Sequence, residues 1–528
     1  MTFRALALAT TAALLIAAPA VAKPHKAPMH KAPPLGLFTA QSDVGANHFP
    51  GKASYATKTG AYQLTASGAN IWAKVDAFHY LYKQASGNLS FSADIAFEGP
   101  GADPHRKAGV MLRQSLDADA PYADIMVHGS GLVSLQFREV KGGDTHQIQA
   151  NVQGVTRVRL EYQDGYAYMS LAGADGVFHH AGGEFPIRLS GPYLAGLALS
   201  AHNDAVTETA DFSHVEIAPM PPAPPAKGYG DKVESTLEVL DMTLNNRTVI
   251  YQTSDHIEAP NWLPDGKTLL FNAGGSLYTF PVPQLGLQTG PNGPQGVPTE
   301  LDTGSLHKIN NDHGFSPDHQ WLAISDQTNA DNQSRVYVLP LTGGEPRQIT
   351  AEGPSYWHGW STDGKTLAVI ANRGGDFDIY AIPAAGGPET RLTTTPGLDD
   401  GAEYSPDGQW IYFNSVRSGN MKIWRMHPDG SAAEQVTFGD DSRDWFPHLS
   451  PDGKWIAFVS FGTEVAVGDH PPDHDVMLKL MPVPGTVTGD DAQPRVVARL
   501  FGGQGTMNVN SWAPDSKHLA FVSYRVVP

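Results

Sequence analysis

Six times between residues 262 and 515 the chain repeats one short pattern: an aromatic residue or Leu, then Ser, Leu or Ala, then Pro or Thr, then Asp. The copies are Trp262-Leu263-Pro264-Asp265, Phe315-Ser316-Pro317-Asp318, Trp360-Ser361-Thr362-Asp363, Tyr404-Ser405-Pro406-Asp407, Leu449-Ser450-Pro451-Asp452 and Trp512-Ala513-Pro514-Asp515. Their starts lie 53, 45, 44, 45 and 63 residues apart. A period of about 40–45 residues, with a tight turn in each unit, is that of a four-stranded propeller blade, so six copies predict six blades. In the third unit the turn is followed by apolar strands at 366–371 and 378–383, a Gly386-Gly387 turn and a short last strand near Leu392.

The sixth unit breaks off after two strands, 509–513 and 518–524, because the chain ends at Pro528. Strands at 236–242 and 247–253, which precede the first copy, are expected to supply the missing pair. Pairing the two ends of the segment would close the ring and remove an exposed strand edge. The propeller is therefore assigned to 231–528, and the Pro-rich stretch 218–230 (APMPPAPPAK from Ala218) marks its boundary.

Upstream, period-2 alternation at 89–97, 122–127, 133–140, 158–162 and 167–171, with a hairpin turn at Asp164-Gly165, predicts an antiparallel β-sandwich over 36–217. The whole chain is thus all-β. Its 55 Gly and 41 Pro in 528 residues agree, since both exceed average usage of about 7% and 5% and favour short strands over long helices. Residues 1–22 carry Arg4, an apolar run and Ala20-Val21-Ala22, the pattern of a signal peptide cleaved between Ala22 and Lys23, so a periplasmic or secreted location is expected. A Pro-rich tether, 23–35, follows. After the leader no apolar stretch is long enough to span a bilayer. The net charge of −18 makes nucleic acid a poor partner, and with no Cys there are neither disulfides nor thiolate metal sites.

The repeats resemble those of TolB-type six-bladed propellers, and the matching strings include YWHGWSTDGK from Tyr356, LDDGAEYSPDGQWIYFNSVRSG from Leu398, DWFPHLSPDGKWIAFVSF from Asp444 and GGQGTMNVNSWAPDS from Gly502. In the sandwich segment NIWAKVDAFHYLY from Asn70, KAGVMLR from Lys107 and YLAGLAL from Tyr193 are similar to concanavalin/laminin-G-like jelly rolls of secreted carbohydrate-active proteins. The first resemblance implies an envelope scaffold of the Tol-Pal type. The second implies a glycan or oligosaccharide partner, and a jelly roll is a departure from the N-terminal domain of TolB.

Candidate site residues come from the windows just before each turn, where a propeller's inner strands approach the channel. Those windows carry His313, His358 and His448, with Asp312, Asp399, Asp400, Glu403 and Asp444 beside them. Three imidazoles with carboxylates suit one divalent metal ion, the candidate cofactor, or proton transfer. His313 and His358 share an offset of two residues before the aromatic and are expected to point the same way, whereas His448 lies one position later. Tyr356, Trp357 and Trp445 are candidate stacking faces for a sugar ring, and His470, in the insertion of the fifth unit, a candidate channel-mouth ligand. Two chemistries follow for a glycan: lyase action with His313, His358 or His448 as base, or hydrolysis with Glu403 paired to Asp399, Asp400 or Asp444. The rival is a scaffold without catalysis, in which such His and Asp residues bond neighbouring backbone. Gly-x-Ser-x-Gly, His-Glu-x-x-His and phosphate-loop motifs are absent from the sequence.

Overall fold

The four copies that carry Ser two residues before the Asp fold into the same turn. The Ser hydroxyl donates to the Asp carboxylate two residues on, at 2.5 Å for Ser316 and Asp318, 2.7 Å for Ser361 and Asp363, 2.6 Å for Ser405 and Asp407, and 2.7 Å for Ser450 and Asp452. The same hydroxyl accepts the amide five residues on, from Trp321, Thr366, Trp410 and Trp455. Short polar side chains thereby close a hairpin between the first two strands of the second to fifth four-stranded sheets. These contacts belong to a computed structural model that describes residues 34–527 except 151, 153–154, 174–175, 183–184, 226–231 and 284–295. The expected leader 1–22, nearly all of the tether and the end of the linker lie outside the described residues.

Five separate four-stranded antiparallel sheets follow one another. Their first strands are Ile257–Trp262, Ile309–Phe315, Ser355–Trp360, Asp399–Tyr404 and Arg443–Leu449, and successive first strands touch. A β-propeller results. The expected pairing of the two ends is present: Val233–Asp241 runs antiparallel to His518–Val526, with Asn246–Thr253 on its other side. The expected count of six four-stranded sheets is corrected to five. After the sixth copy only Trp512 bridges to Leu519, and the three end strands join a larger sheet.

That larger sheet has ten strands. Seven come from the N-terminal half, and the junction is a parallel pairing of Asn246–Val249 with Gln147–Ala150. An eight-stranded sheet faces it across one core, to which Val110, Leu112, Ile125 and Leu135 of the first sheet and Phe91, Ile95, Leu160 and Phe212 of the second contribute. The Asp164-Gly165 hairpin forms as expected, both residues at positive φ (51° and 88°), between Arg157–Gln163 and Tyr166–Ala172. The expectation of a jelly roll over 36–217 reduces here to these two layers. Ala218 and Pro219, taken as linker from composition, complete the strand Glu208–Pro219. No helix among the described residues is long and apolar enough to cross a membrane.

Candidate functional site

Every first strand of the five sheets carries a register irregularity shortly before its turn, between Glu258 and Asn261, Ile309 and His313, Trp357 and Gly359, Asp400 and Glu403, and Trp445 and His448. Ala259, Gly401 and Phe446 sit within these bulges at φ values of 53°, 65° and 52°. A bulge re-aims the side chains around it, so equal sequence offsets need not give equal directions.

His358 is the extra residue of its bulge, since Trp357 pairs with Val369 and Gly359 with Ala368. Its Nε2 lies 3.1 Å from Asp400 Oδ1 and 3.8 Å from Asp312 Oδ1. Asn508 donates to Asp312 Oδ1 at 2.6 Å and Asn310 to Oδ2 at 2.6 Å. The Phe446 ring lies parallel to the imidazole, centroids 6.2 Å apart. The fifth unit's insertion brings in His470, with Nε2 4.0 Å from Asp400 Oδ2 and its ring edge-on to Trp445 at 4.4 Å. Four of the expected residues, Asp312, His358, Asp400 and His470, therefore meet at one place.

Burial by itself would lower the His358 pKa, but the Asp400 charge and hydrogen bond, with Asp312 and Glu403 behind them, raise it above the ordinary histidine value. Asp400 is buried too, yet the same imidazole, with help from His470 and the Gly401 amide, holds its carboxyl below the usual range. Asp312 moves the other way: burial outweighs His358 and lifts it. The flanking carboxylates therefore favour the protonated imidazole, a form that cannot accept a proton and serves as an electrostatic anchor.

The remaining expected residues go elsewhere. His313 pairs in register with Ile324 and is fully buried, its ring facing the Ala259 and Leu270 carbonyls without a hydrogen bond of good geometry. Burial pushes its pKa down to about 4. His448 Nδ1 is 2.7 Å from Glu403 Oε2 and its Nε2 3.4 Å from the Met507 carbonyl, while Glu403 Oε1 accepts from Asn510 Nδ2 at 2.7 Å and the Leu449 amide at 3.0 Å. Both groups are committed to joining neighbouring strands. Asp399 takes both oxygens to Arg417 at 2.9 Å, and Asp444 lies 3.1 Å from Lys422 Nζ and 3.6 Å from Lys479 Nζ. The expected carboxylate pairs around Glu403 are thus replaced by separate ion pairs. Trp357 and Trp445 are buried, at 6% and 0% exposure, and cannot offer a face to a sugar. Tyr356 is half-buried against Phe377.

The expected metal ligands His313, His358 and His448 do not converge, because one points between sheets and one is tied to Glu403. Among the described residues no group of three or more His, Asp or Glu is arranged to hold a metal ion. Sequence reasoning missed Phe446, Asn508 and Asn510 as site residues. The two Asn stand in the sixth unit's window at the same distance from the turn as the His and Asp of other units, which was the available signal.

A family model for the TolB beta propeller domain matches residues 315–479. An uncharacterised protein of Agrobacterium fabrum is 46% identical over 299 residues, covering 56% of this chain and 94% of that protein. A solved structure from Agrobacterium tumefaciens assigned to TolB is 44% identical, covers 56% of this chain and 99% of its own, and superposes with a TM-score of 0.50. The Tol-Pal system protein TolB of Francisella tularensis subsp. mediasiatica is 24% identical over 271 residues, 49% of this chain and 58% of that protein, so less than two thirds of that relative is spanned. The chain belongs to the family of the Agrobacterium fabrum protein, the TolB-like β-propellers.

Proposed function

We propose that this protein is a non-catalytic binding protein of the cell envelope, in which the propeller site around Asp312, His358 and Asp400 holds a cationic group of a partner protein. The observation that carries this reading is the composition of the cluster. Two carboxylates face one imidazole, Asp400 at 3.1 Å and Asp312 at 3.8 Å, so the site offers carboxylate oxygens to a cation. A lysine or arginine side chain offers the complementary charge and several hydrogen-bond donors. Catalysis is not favoured, since the carboxylates beside His358 favour its protonated form and Glu403 is fully engaged. The kinship with Tol-Pal TolB supports an envelope role and a periplasmic location reached through removal of residues 1–22. The reading takes 36–217 as a jelly-roll module whose larger sheet takes in the propeller's end strands.

The test is fluorescence anisotropy with labelled Lys/Arg-rich peptides, acidic peptides, and neutral and uronate oligosaccharides, on wild type and Asp400→Asn. Selective binding of basic peptides, weakened at least about tenfold in the variant, about 1.4 kcal/mol, supports the proposal. Binding of an oligosaccharide at this site, or indifference to the variant, overturns it. N-terminal sequencing of the exported protein checks the Ala22 to Lys23 cleavage.

A further inference from the structure

Trp262, Trp360 and Trp512 stand at the same place in their units, immediately before the turn. Trp360 Nε1 donates to the Gly314 carbonyl of the unit before it at 3.0 Å, and Trp512 Nε1 to the His448 carbonyl at 3.1 Å. The Trp262 N–H is buried and has no acceptor. Its equivalent acceptor is the Ser511 carbonyl, which takes the Ala520 amide at 2.9 Å. A buried donor left unpaired departs from the usual rule, and it marks the seam between the sixth unit and the first sheet as less tightly closed than the other two.

A cavity of about 770 Å³ opens at that seam, within the range of about 300–1,000 Å³ common to small-molecule clefts. Its walls come from the first unit's turn, the sixth unit's turn, and the end strands with the loop that joins them. Part of the wall is apolar, formed by Val239, Leu244, Trp262, Pro264 and Pro514. Leu244, in the loop between Val233–Asp241 and Asn246–Thr253, is a large aliphatic side chain left 66% exposed.

The rest of the wall is acidic. Asp241, Asp265 and Asp515 line the cavity against one ammonium group, that of Lys267. His518 stands between two of the carboxylates, its Nδ1 2.7 Å from Asp515 Oδ2 and its Nε2 3.9 Å from Asp241 Oδ2. Partial burial would lift the pKa of both acids. Hydrogen bonds from Thr243 and the Leu244 amide to Asp241, and from the Lys517 amide and His518 to Asp515, instead hold them below the usual carboxylate range. Both are therefore charged at neutral pH. Carboxylates around a partly enclosed apolar space concentrate cations there, because low-dielectric walls focus their field.

We propose that this cavity binds a small organic cation with an apolar body, of the alkylamine or arylalkylamine class. The apolar wall takes the hydrocarbon, and Asp241 and Asp515 take the ammonium group. An acid of the same skeleton would meet three carboxylates, and the neutral alcohol would forgo the charge interaction. The cavity shares no residue with the cluster of Asp312, His358 and Asp400, and the proposal does not depend on the reading of that cluster.

Isothermal titration of the mature full-length protein with phenylbutylamine, phenylbutanol and phenylbutyrate, which differ only in the head group's charge, tests the proposal. The amine is expected to bind with a Kd below about 1 mM, the alcohol at least about tenfold more weakly, and the acid more weakly still. Asp241→Asn is expected to weaken amine binding about fivefold, as the loss of a half-exposed charge partner should. Leu244→Arg, which sets a cation in the cavity wall, is expected to weaken it at least about tenfold. Circular dichroism selects folded variants, and if Asp241→Asn does not fold, Leu244→Arg at its exposed position decides. Absence of amine binding at about 10 mM, or an alcohol or acid that binds as tightly as the amine, overturns the proposal. So does amine binding that survives unchanged in folded Leu244→Arg. Loss of amine binding in Asp400→Asn would place the ligand in the propeller cluster and overturn it too.

Discussion

His313 and His358 stand at the same offset in consecutive units, two residues before Phe315 and Trp360, and they meet opposite fates. His313 keeps its strand partner, Ile324, and lies buried against Ala259 and Leu270. His358 has lost its partner to a bulge and stands between Asp312 and Asp400. Burial favours the neutral form of one imidazole and neighbouring carboxylates the charged form of the other, in the same kind of strand, by nothing more than which residue the ladder skips. The repeat therefore sets where a site can form, and the bulge sets which side chain enters it.

Substitution at His358 tests this difference most severely. His358→Leu leaves Asp312 and Asp400 buried without their cation and is expected to cost about 3–5 kcal/mol, measured as a fall in denaturant midpoint at unchanged m. Asp400→Asn should cost less, about 1–3 kcal/mol, because Asp312 still faces the imidazole; an unchanged midpoint would mean that the two do not form a functioning pair. His313→Leu should fall within about 1 kcal/mol of wild type in either direction, since its ring nitrogens make no well-formed hydrogen bond. A large loss there would erase the contrast.

The smallest effect is in pH. The His358 pKa is raised in the folded state, so its contribution is complete below the unfolded value of about 6.5 and is lost as pH rises through the folded value. His313 is lowered to about 4, so its neutral form is favoured above about 6.5 and stability falls as pH drops from there toward the folded value. The gap between wild type and His358→Leu should shrink at alkaline pH, and that between wild type and His313→Leu should change below about 6.5. Imidazole proton shifts in NMR would report the two titrations directly, and coincident midpoints would refute the opposition.

Much of the architecture was legible in the sequence because it is written locally. A Ser, a Pro and an Asp within three residues suffice to make a turn, and the strand counts and end pairing followed from spacing. The site was legible only in part. Asp312, His358, Asp400 and His470 were named from their windows, but nothing in those windows reveals that Arg417 neutralises Asp399 or that Lys422 neutralises Asp444. Those partners lie 18 and 22 residues away, and they are set by cross-strand pairing. Trp357 and Trp445 were misjudged for a similar reason: an aromatic beside a channel window fills the seam when a neighbour is small, as Gly314 is beneath the Trp357 ring. The sheet count failed because the strand Asn246–Thr253 found a second partner in another part of the chain.

That second partner has a practical consequence. Asn246–Thr253 has Val233–Asp241 on one edge and His146–Ala150 on the other, so neither of its edges is free. Excising residues 36–217 would bare a row of amides and carbonyls at a sheet margin, and such a margin recruits other chains. A propeller expressed alone from this sequence should therefore self-associate with rising concentration, and a charged or proline substitution along 246–249 should restore its solubility.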